Sequence, residues 1–230
     1  MSKRNTSLTL ILLAVTVVVS GCSSSTTTSG TSSHSGMHHG STGTEPGTAA
    51  ATGGSYLDEK IPTNVLNLPL INERGSGVSL YSYKGKWVVL TNFLTSCQEI
   101  CPMTTALMNS IATQVGQNKA SAKFAFVEIS VDSKRDTPER ISAYREIANA
   151  SKLDLISGKE SSLKSLWTYF GAPYEIMTID SKEADILPRD WQTGAKATYD
   201  VTHPDLVLII SPDQHWRWIN LGSPDASHVV

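Results

Sequence analysis

Trp87-Val88-Val89-Leu90-Thr91-Asn92-Phe93-Leu94 leads, after Thr95-Ser96, into Cys97-Gln98-Glu99-Ile100-Cys101-Pro102. The apolar run reads as a buried strand. Pro102 suits the first turn of a helix, where its missing N–H had no partner in any case. Two thiols therefore stand four residues apart at a strand-to-helix junction. They can meet as a disulfide or close together on a soft metal ion. A crosslink over so short a loop removes little entropy from the unfolded chain and adds little stability, so the pair reads as chemistry rather than scaffolding.

Outward from this junction, strand and helix patterns alternate. Val78–Tyr83 and Lys86–Leu94, separated by Lys84-Gly85, read as a short strand or turn feeding the buried strand. The helix opened by Pro102 is expected to turn Met103, Ala106, Leu107, Ile111 and Val115 to the core and to stop near Gly116. Lys123–Val131 is the next strand. Asp136 or Thr137 then caps a helix carrying Ile141, Tyr144 and Ala148 on one face. Leu153–Ile156 reads as a strand, Glu160–Phe170 as a helix ended by Gly171, and Tyr174–Asp180 as a strand. Leu206–Ser211 and His215–Leu221 read as a closing hairpin around Pro212-Asp213-Gln214. Residues 57–230 suffice for one core. The alternation predicts an α/β domain, a central mixed sheet flanked by helices. With cysteines at the end of its first buried strand, it is thioredoxin-like. Reactive groups of open α/β sheets gather at the carboxyl ends of strands, and a helix start beside Cys101 is expected to favour its thiolate.

The N-terminal quarter has a different character. Lys3 and Arg4, an apolar stretch from Leu8 to Val19 and then Ser20-Gly21-Cys22 describe an export signal over residues 1–21. Val19-Ser20-Gly21-Cys22 resembles a bacterial lipobox, which predicts cleavage before Cys22 and a diacylglyceryl anchor on its sulfur. The chain would then sit at the extracytoplasmic face of a cell membrane. Residues 22–56 read as a flexible tether, being mostly Ser, Thr, Gly and Ala with too little apolar surface to order themselves. Within it, His34, Met37, His38 and His39 cluster, and imidazole and thioether groups can capture copper weakly without a fold. Removing residues 1–21 takes Lys3 and Arg4 from the 19 basic residues, leaving 17 against 21 acidic ones, a charge of −4. That balance gives no support to nucleic-acid binding.

Two features bear on the choice between redox pair and metal site. Three residues separate the cysteines where thiol oxidoreductases usually have two, and no Trp precedes the first. His203, just before the apolar strand Leu206–Ile210, is a candidate third ligand. Two thiolates and one imidazole suit copper, Cu(I) above all and also Cu(II). No fourth protein ligand of the kind a structural zinc site needs stands out. Spacing alone leaves open a redox pair beside a hydrogen-bonded turn histidine.

Three motifs in order carry a resemblance over most of residues 57–221. Phe93–Pro102 resembles the C-x-x-x-C-P segment of the Sco/SenC family, membrane-anchored thioredoxin-fold copper chaperones for cytochrome c oxidase. Ser130-Val131-Asp132-Ser133-Lys134-Arg135-Asp136-Thr137-Pro138-Glu139-Arg140 resembles its S-V-D-P-x-R-D-T-P-E block. Tyr199-Asp200-Val201-Thr202-His203 resembles its Y-x-V-x-H segment. The resemblance implies copper ligation by Cys97, Cys101 and His203. It also implies a role for Asp132 and Asp136 in orienting the site or contacting a partner, with helix capping and strand termination as their plainer alternatives. It implies delivery of copper to the binuclear site of cytochrome c oxidase subunit II, with a copper donor protein and an extracytoplasmic thiol reductase as further partners. The alternative function is a thiol–disulfide oxidoreductase that reduces the oxidase's copper-ligand cysteines; a redox-inert lipoprotein is the blandest reading. The chain departs from the family pattern at Gln98, Ser133, Thr202 and Pro204. The family's closing helix is expected at or beyond Gly222–Val230.

Overall fold

The computed structural model describes residues 53–117, 121–180 and 182–222. The expected signal peptide, Cys22, the tether cluster His34, Met37, His38 and His39, and residues 223–230 lie outside these. Among the described residues, strands β1 (Ser55–Lys60), β2 (Leu70–Asn72), β3 (Gly77–Val78), β4 (Trp87–Phe93), β5 (Phe124–Ser130), β6 (Asp154–Gly158), β9 (Leu206–Ile210) and β10 (His215–Leu221) form one sheet. Its order is β1-β10-β9-β4-β5-β6-β2-β3. β7 (Glu175–Thr178) and β8 (Tyr199–Thr202) form a separate antiparallel ribbon. The helices are α1 (Thr63–Leu66), α2 (Ile100–Gly116), α3 (Pro138–Ile147), α4 (Glu160–Tyr169) and α5 (Glu183–Ile186).

β4 occupies the centre because it has no polar face to offer solvent; Val88 to Phe93 are all buried. It pairs parallel with β5 from Trp87↔Phe124 to Phe93↔Ser130 and antiparallel with β9 from Val88↔Ile210 to Thr91↔Val207. β5 pairs parallel with β6, whereas β1, β2, β3, β9 and β10 enter antiparallel, so the sheet is mixed as expected. Parallel neighbours need long crossovers. The connection after β4 carries α2 and the one after β5 carries α3, which brings the ends of both strands to one rim of the sheet. β9 runs against β4, so the segment entering β9 reaches that rim too. Cys97, the Asp132–Asp136 loop and His203 converge there by topology alone. The fold is thioredoxin-like, with an added antiparallel β1 that begins at Ser55, ahead of the expected boundary at Leu57.

Three local expectations change. α2 starts at Ile100, which places Pro102 third in the helix, still within the turn whose N–H groups lack intrahelical partners. Of the residues expected inside, Ile111 is buried and Leu107 and Val115 pack partly buried against the core, but Met103 is 69% exposed and Ala106 is exposed, and Cys101, Thr105, Met108 and Ala112 complete the buried face. The helix is rotated because Thr105 turns inward to donate to Glu128 Oε2 at 2.8 Å, a polar contact that an apolar pattern cannot reveal. Finally, the strand read at Tyr174–Asp180 shortens to β7 and pairs with β8 outside the main sheet. Gly171 ends α4 with a φ of 72°, the left-handed conformation that glycine adopts without a Cβ penalty.

Candidate metal centre

Cys97 and Cys101 are free thiols in unlike surroundings, the first half-buried and the second buried. The Cys97 sulfur receives the Cys101 side-chain S–H and, at 3.4 Å, the Cys101 backbone N–H. These bonds, helped by the backbone N–H groups of Glu99 and Ile100, hold the Cys97 thiol down at about 5 against the opposing effect of burial. Cys101 moves the opposite way, pushed up by its bond to Cys97, by burial and by the Cys97 charge, with the Asp205 carboxylate adding to the effect. The expected thiolate is thus at Cys97 and not Cys101. The free N–H groups of a helix start aim back at the residue preceding the helix, and Cys101 is already inside it.

Cys97 opens onto a cavity of about 600 Å³. Leu94, Ser96 and Ile100 line it beside Cys97, and Leu187, Tyr199, Val201 and His203 face them. The His203 side chain is 7% exposed, with Nδ1 3.3 Å from the Pro204 carbonyl oxygen and 3.7 Å from Asp205 Oδ1. Asn92 of β4 donates to that same Pro204 carbonyl at 2.7 Å, pinning the residue after the histidine to the central strand. The structure therefore turns Cys97 and His203 to one cavity and sets Cys101 against Cys97. Among the described residues, no three His, Cys, Asp or Glu side chains are gathered closely enough to hold an ion. Two sulfurs and an imidazole are the donors a soft, low-coordinate ion takes. Ligation by all three requires these side chains to close on one another.

Asp132 and Asp136 are 0% and 1% exposed, which leaves neither a surface for direct partner contact. Nor does Asp136 cap α3; Thr137 does, its hydroxyl accepting from Arg140 N at 3.3 Å. Asp136 instead accepts from Ser130 Oγ at 2.5 Å, from Thr95 Oγ1 at 2.5 Å and from Thr95 N at 3.3 Å, which anchors the loop leading to Cys97. Burial pushes its carboxyl up to about 6 despite these donors. Asp132 accepts from Arg135 Nε and, at 2.8 Å, from the Tyr199 hydroxyl. Arg135 also donates to the Tyr199 carbonyl at 3.2 Å, and its guanidinium lies 4.0 Å from that ring. One acidic residue thus holds the Cys97 loop, and the other holds the strand that leads to His203.

Several contributors escaped the sequence reading. Thr95 and Arg140 lie inside the family motifs and Asn92 in the apolar run before them, but nothing in their spacing marks them as inward-facing. Asp190 and Trp191 lie in a stretch without periodicity and carry no signal at all. Glu128 sits in an apolar strand and is fully buried, with Oε1 lacking a partner among the described residues. Burial raises its carboxyl to about 8, against the opposing bond from Thr105. Thr105 Oγ1 also lies 3.2 Å from the Tyr144 hydroxyl, so this polar cluster sits one turn below Cys101.

The sequence profile of the SCO1/SenC family matches residues 66–227. A protein of Stutzerimonas stutzeri, named as a candidate copper-binding protein, is 25% identical over 150 residues, or 65% of each chain. This chain thus spans just under two thirds of that relative's length. ScoI of Arabidopsis thaliana with copper bound superposes with a TM-score of 0.55 at 21% identity, covering 76% of this chain and 91% of that one. BsSco, described as a member of the Sco family of cytochrome c oxidase assembly proteins with a disulfide switch, superposes with a TM-score of 0.52 at 20% identity, covering 76% and 90%. At these identities the structural likenesses speak to fold, while the profile match takes in all three motifs of the candidate site. The chain belongs to the SCO1/SenC family.

Proposed function

We propose that this chain is a copper carrier in cytochrome c oxidase assembly, with Cys97, Cys101 and His203 as ligands. The observation that carries this reading is the cavity shared by His203 and the low-lying Cys97 thiol, with Cys101 hydrogen-bonded to the Cys97 sulfur. The copper-bound ScoI relative supports the choice of metal. Cys97, ionised and accessible, is the first sulfur an arriving ion meets. Cys101 releases its proton as its sulfur joins, and His203 supplies the third donor. Stepwise ligand exchange passes the ion to the binuclear site of oxidase subunit II. Oxidation of the pair to a disulfide removes both sulfurs, so loading requires an extracytoplasmic thiol reductase as well as a copper donor protein. Cys22 would anchor the chain to the membrane through its lipid, on the extracytoplasmic face. His34, Met37, His38 and His39 would capture copper weakly nearby.

The same cysteine pair favours a second reading. A half-buried thiolate bonded to a buried thiol is also the nucleophile and resolving pair of a thiol–disulfide oxidoreductase, here one that reduces the oxidase's copper-ligand cysteines. His203→Ala separates the two. Copper carriage predicts a fall in Cu(I) affinity of at least about 100-fold, measured by competition with a colorimetric chelator, with disulfide reduction kept. An unchanged affinity refutes the carrier reading. Replacing His34, His38 and His39 together should leave the tight site intact. Anchoring predicts that Cys22→Ser moves the chain out of the membrane fraction; retention there would show that the lipid is not the anchor.

A further inference from the structure

We propose that Arg140 is the positioning residue that joins the two halves of the copper site, holding the Cys97 loop against the segment that leads to His203. This rests on the ligand set proposed above. Arg140, in the first turn of α3, is 7% exposed, and its guanidinium bonds to both sides of the cavity mouth at once. On one side Nε donates to Thr95 Oγ1 at 2.5 Å, two residues before Cys97. On the other side Nη2 and Nη1 meet the Asp190 carboxylate at 2.6 and 3.1 Å, and Nη1 lies 3.4 Å from Gln192 Oε1. The guanidinium carbon stands 4.9 Å from the centre of the Trp191 ring, whose Nε1 donates to the Thr95 carbonyl at 2.6 Å. Residue 190 belongs to the stretch that forms the outer wall of the cavity and runs directly into β8 and His203. The planar fork matters here, since a lysine ammonium cannot span a carboxylate and a hydroxyl on separate segments in fixed directions.

The clasp limits how far the chain around His203 can move as the ring closes on the sulfurs. With residue 190 clasped to the Cys97 loop, Tyr199 held by Arg135 and Pro204 pinned by Asn92, the excursion is confined to the few residues between Tyr199 and Pro204. Without the clasp, the wall can drift from the cysteines and carry the imidazole away from them.

The test uses the full chain in detergent, Cu(I) competition with a colorimetric chelator, and electron paramagnetic resonance of the Cu(II) form. Arg140→Met with Asp190→Asn removes both charges together, so no unpaired ion is left buried. This double variant should bind Cu(I) roughly 10- to 100-fold more weakly although all three ligands remain, and its Cu(II) spectrum should lose imidazole nitrogen coupling. Adding His203→Ala to it should cost little beyond His203→Ala alone, because both changes remove the same ligand. Trp191→Phe, which deletes only the indole bond to Thr95, should shift affinity in the same direction by a smaller factor; it serves if the double variant fails to fold. Wild-type affinity and spectrum in the clasp variants, or losses that add to that of His203→Ala, would overturn the assignment of Arg140 while leaving the ligand set standing. An unchanged affinity in His203→Ala alone would overturn both.

Discussion

Glu128→Gln probes a carboxyl buried in the central sheet. Glu128 is fully buried in β5, with Thr105 donating to Oε2 at 2.8 Å and nothing meeting Oε1 among the described residues. Burial lifts its carboxyl from the ordinary 4.5 to about 8. The folded state therefore keeps this proton over a pH range in which the unfolded chain has lost it. Between 4.5 and 8 the native state binds more protons, so this residue's contribution to stability falls as pH rises and levels off above 8. The slope is about 1.36 kcal/mol per pH unit well below 8 and falls off through 8, hence about 2.3 kcal/mol between pH 6 and 8, with a ceiling of about 5 kcal/mol over the whole range. Cys97 works in the opposite direction, because its lowered thiol favours folding as pH rises from about 5 towards 9. Asp136, raised to about 6, has finished its contribution by pH 6 to 7. The informative quantity is therefore the difference between wild type and variant and not the wild-type slope. Glutamine places an amide NH2 where Oε1 lacks a partner, a pH-independent cost of about 1–3 kcal/mol. Urea unfolding of the reduced protein, followed by circular dichroism, should show the variant equal or less stable at pH 6 and gaining about 2.5 kcal/mol on wild type by pH 9. A wild-type-minus-variant difference that stays flat within about 0.5 kcal/mol from pH 6 to 9 would refute the buried, protonated carboxyl.

Two further outcomes follow from the geometry. Iodoacetamide should modify Cys97 well before Cys101 at pH 7, and the Cys97 rate should rise through a midpoint near 5 and then level off. Peptide mapping that finds Cys101 labelled first, or a Cys97 midpoint in the ordinary thiol range near 9, would contradict the hydrogen bonds assigned to the pair. On α2, Met108→Ala should cost about 2–5 kcal/mol because Met108 is completely buried. Met103→Ala should stay within about 0.5 kcal/mol because its side chain faces out; equal costs for the two would restore the helix face expected from apolar spacing.

How far the sequence could be read depended on the kind of signal. β4, β5 and β9 carry near-continuous apolar runs, and α3 and α4 carry caps and stops such as Thr137 and Gly171, so those elements were legible. α2 was placed but partly rotated, since Thr105 belongs inside only because Glu128 of β5 faces it, and that pairing has no sequence period. The motifs drew attention to Cys97, Cys101, His203, Asp132 and Asp136 because reactive and charged side chains at unusual spacing stand out. Thr95, Asn92, Arg140, Asp190 and Trp191 did not stand out, because their work lies in contacts between segments far apart in the chain.

By itself, the sequence determined the α/β order, the position of the paired thiols at a strand end and the set of soft donors, because each follows from local period or residue chemistry. Tertiary structure alone decided which thiol is held low, which depends on the Cys101 S–H, and then the N–H groups at the start of α2, pointing at the Cys97 sulfur. It also decided that both acidic residues face inward to hold the two flanking loops, and that His203 shares a cavity with Cys97 without yet closing on it. Directions of bonds and degrees of burial come from packing between distant segments, and no spacing along the chain encodes them.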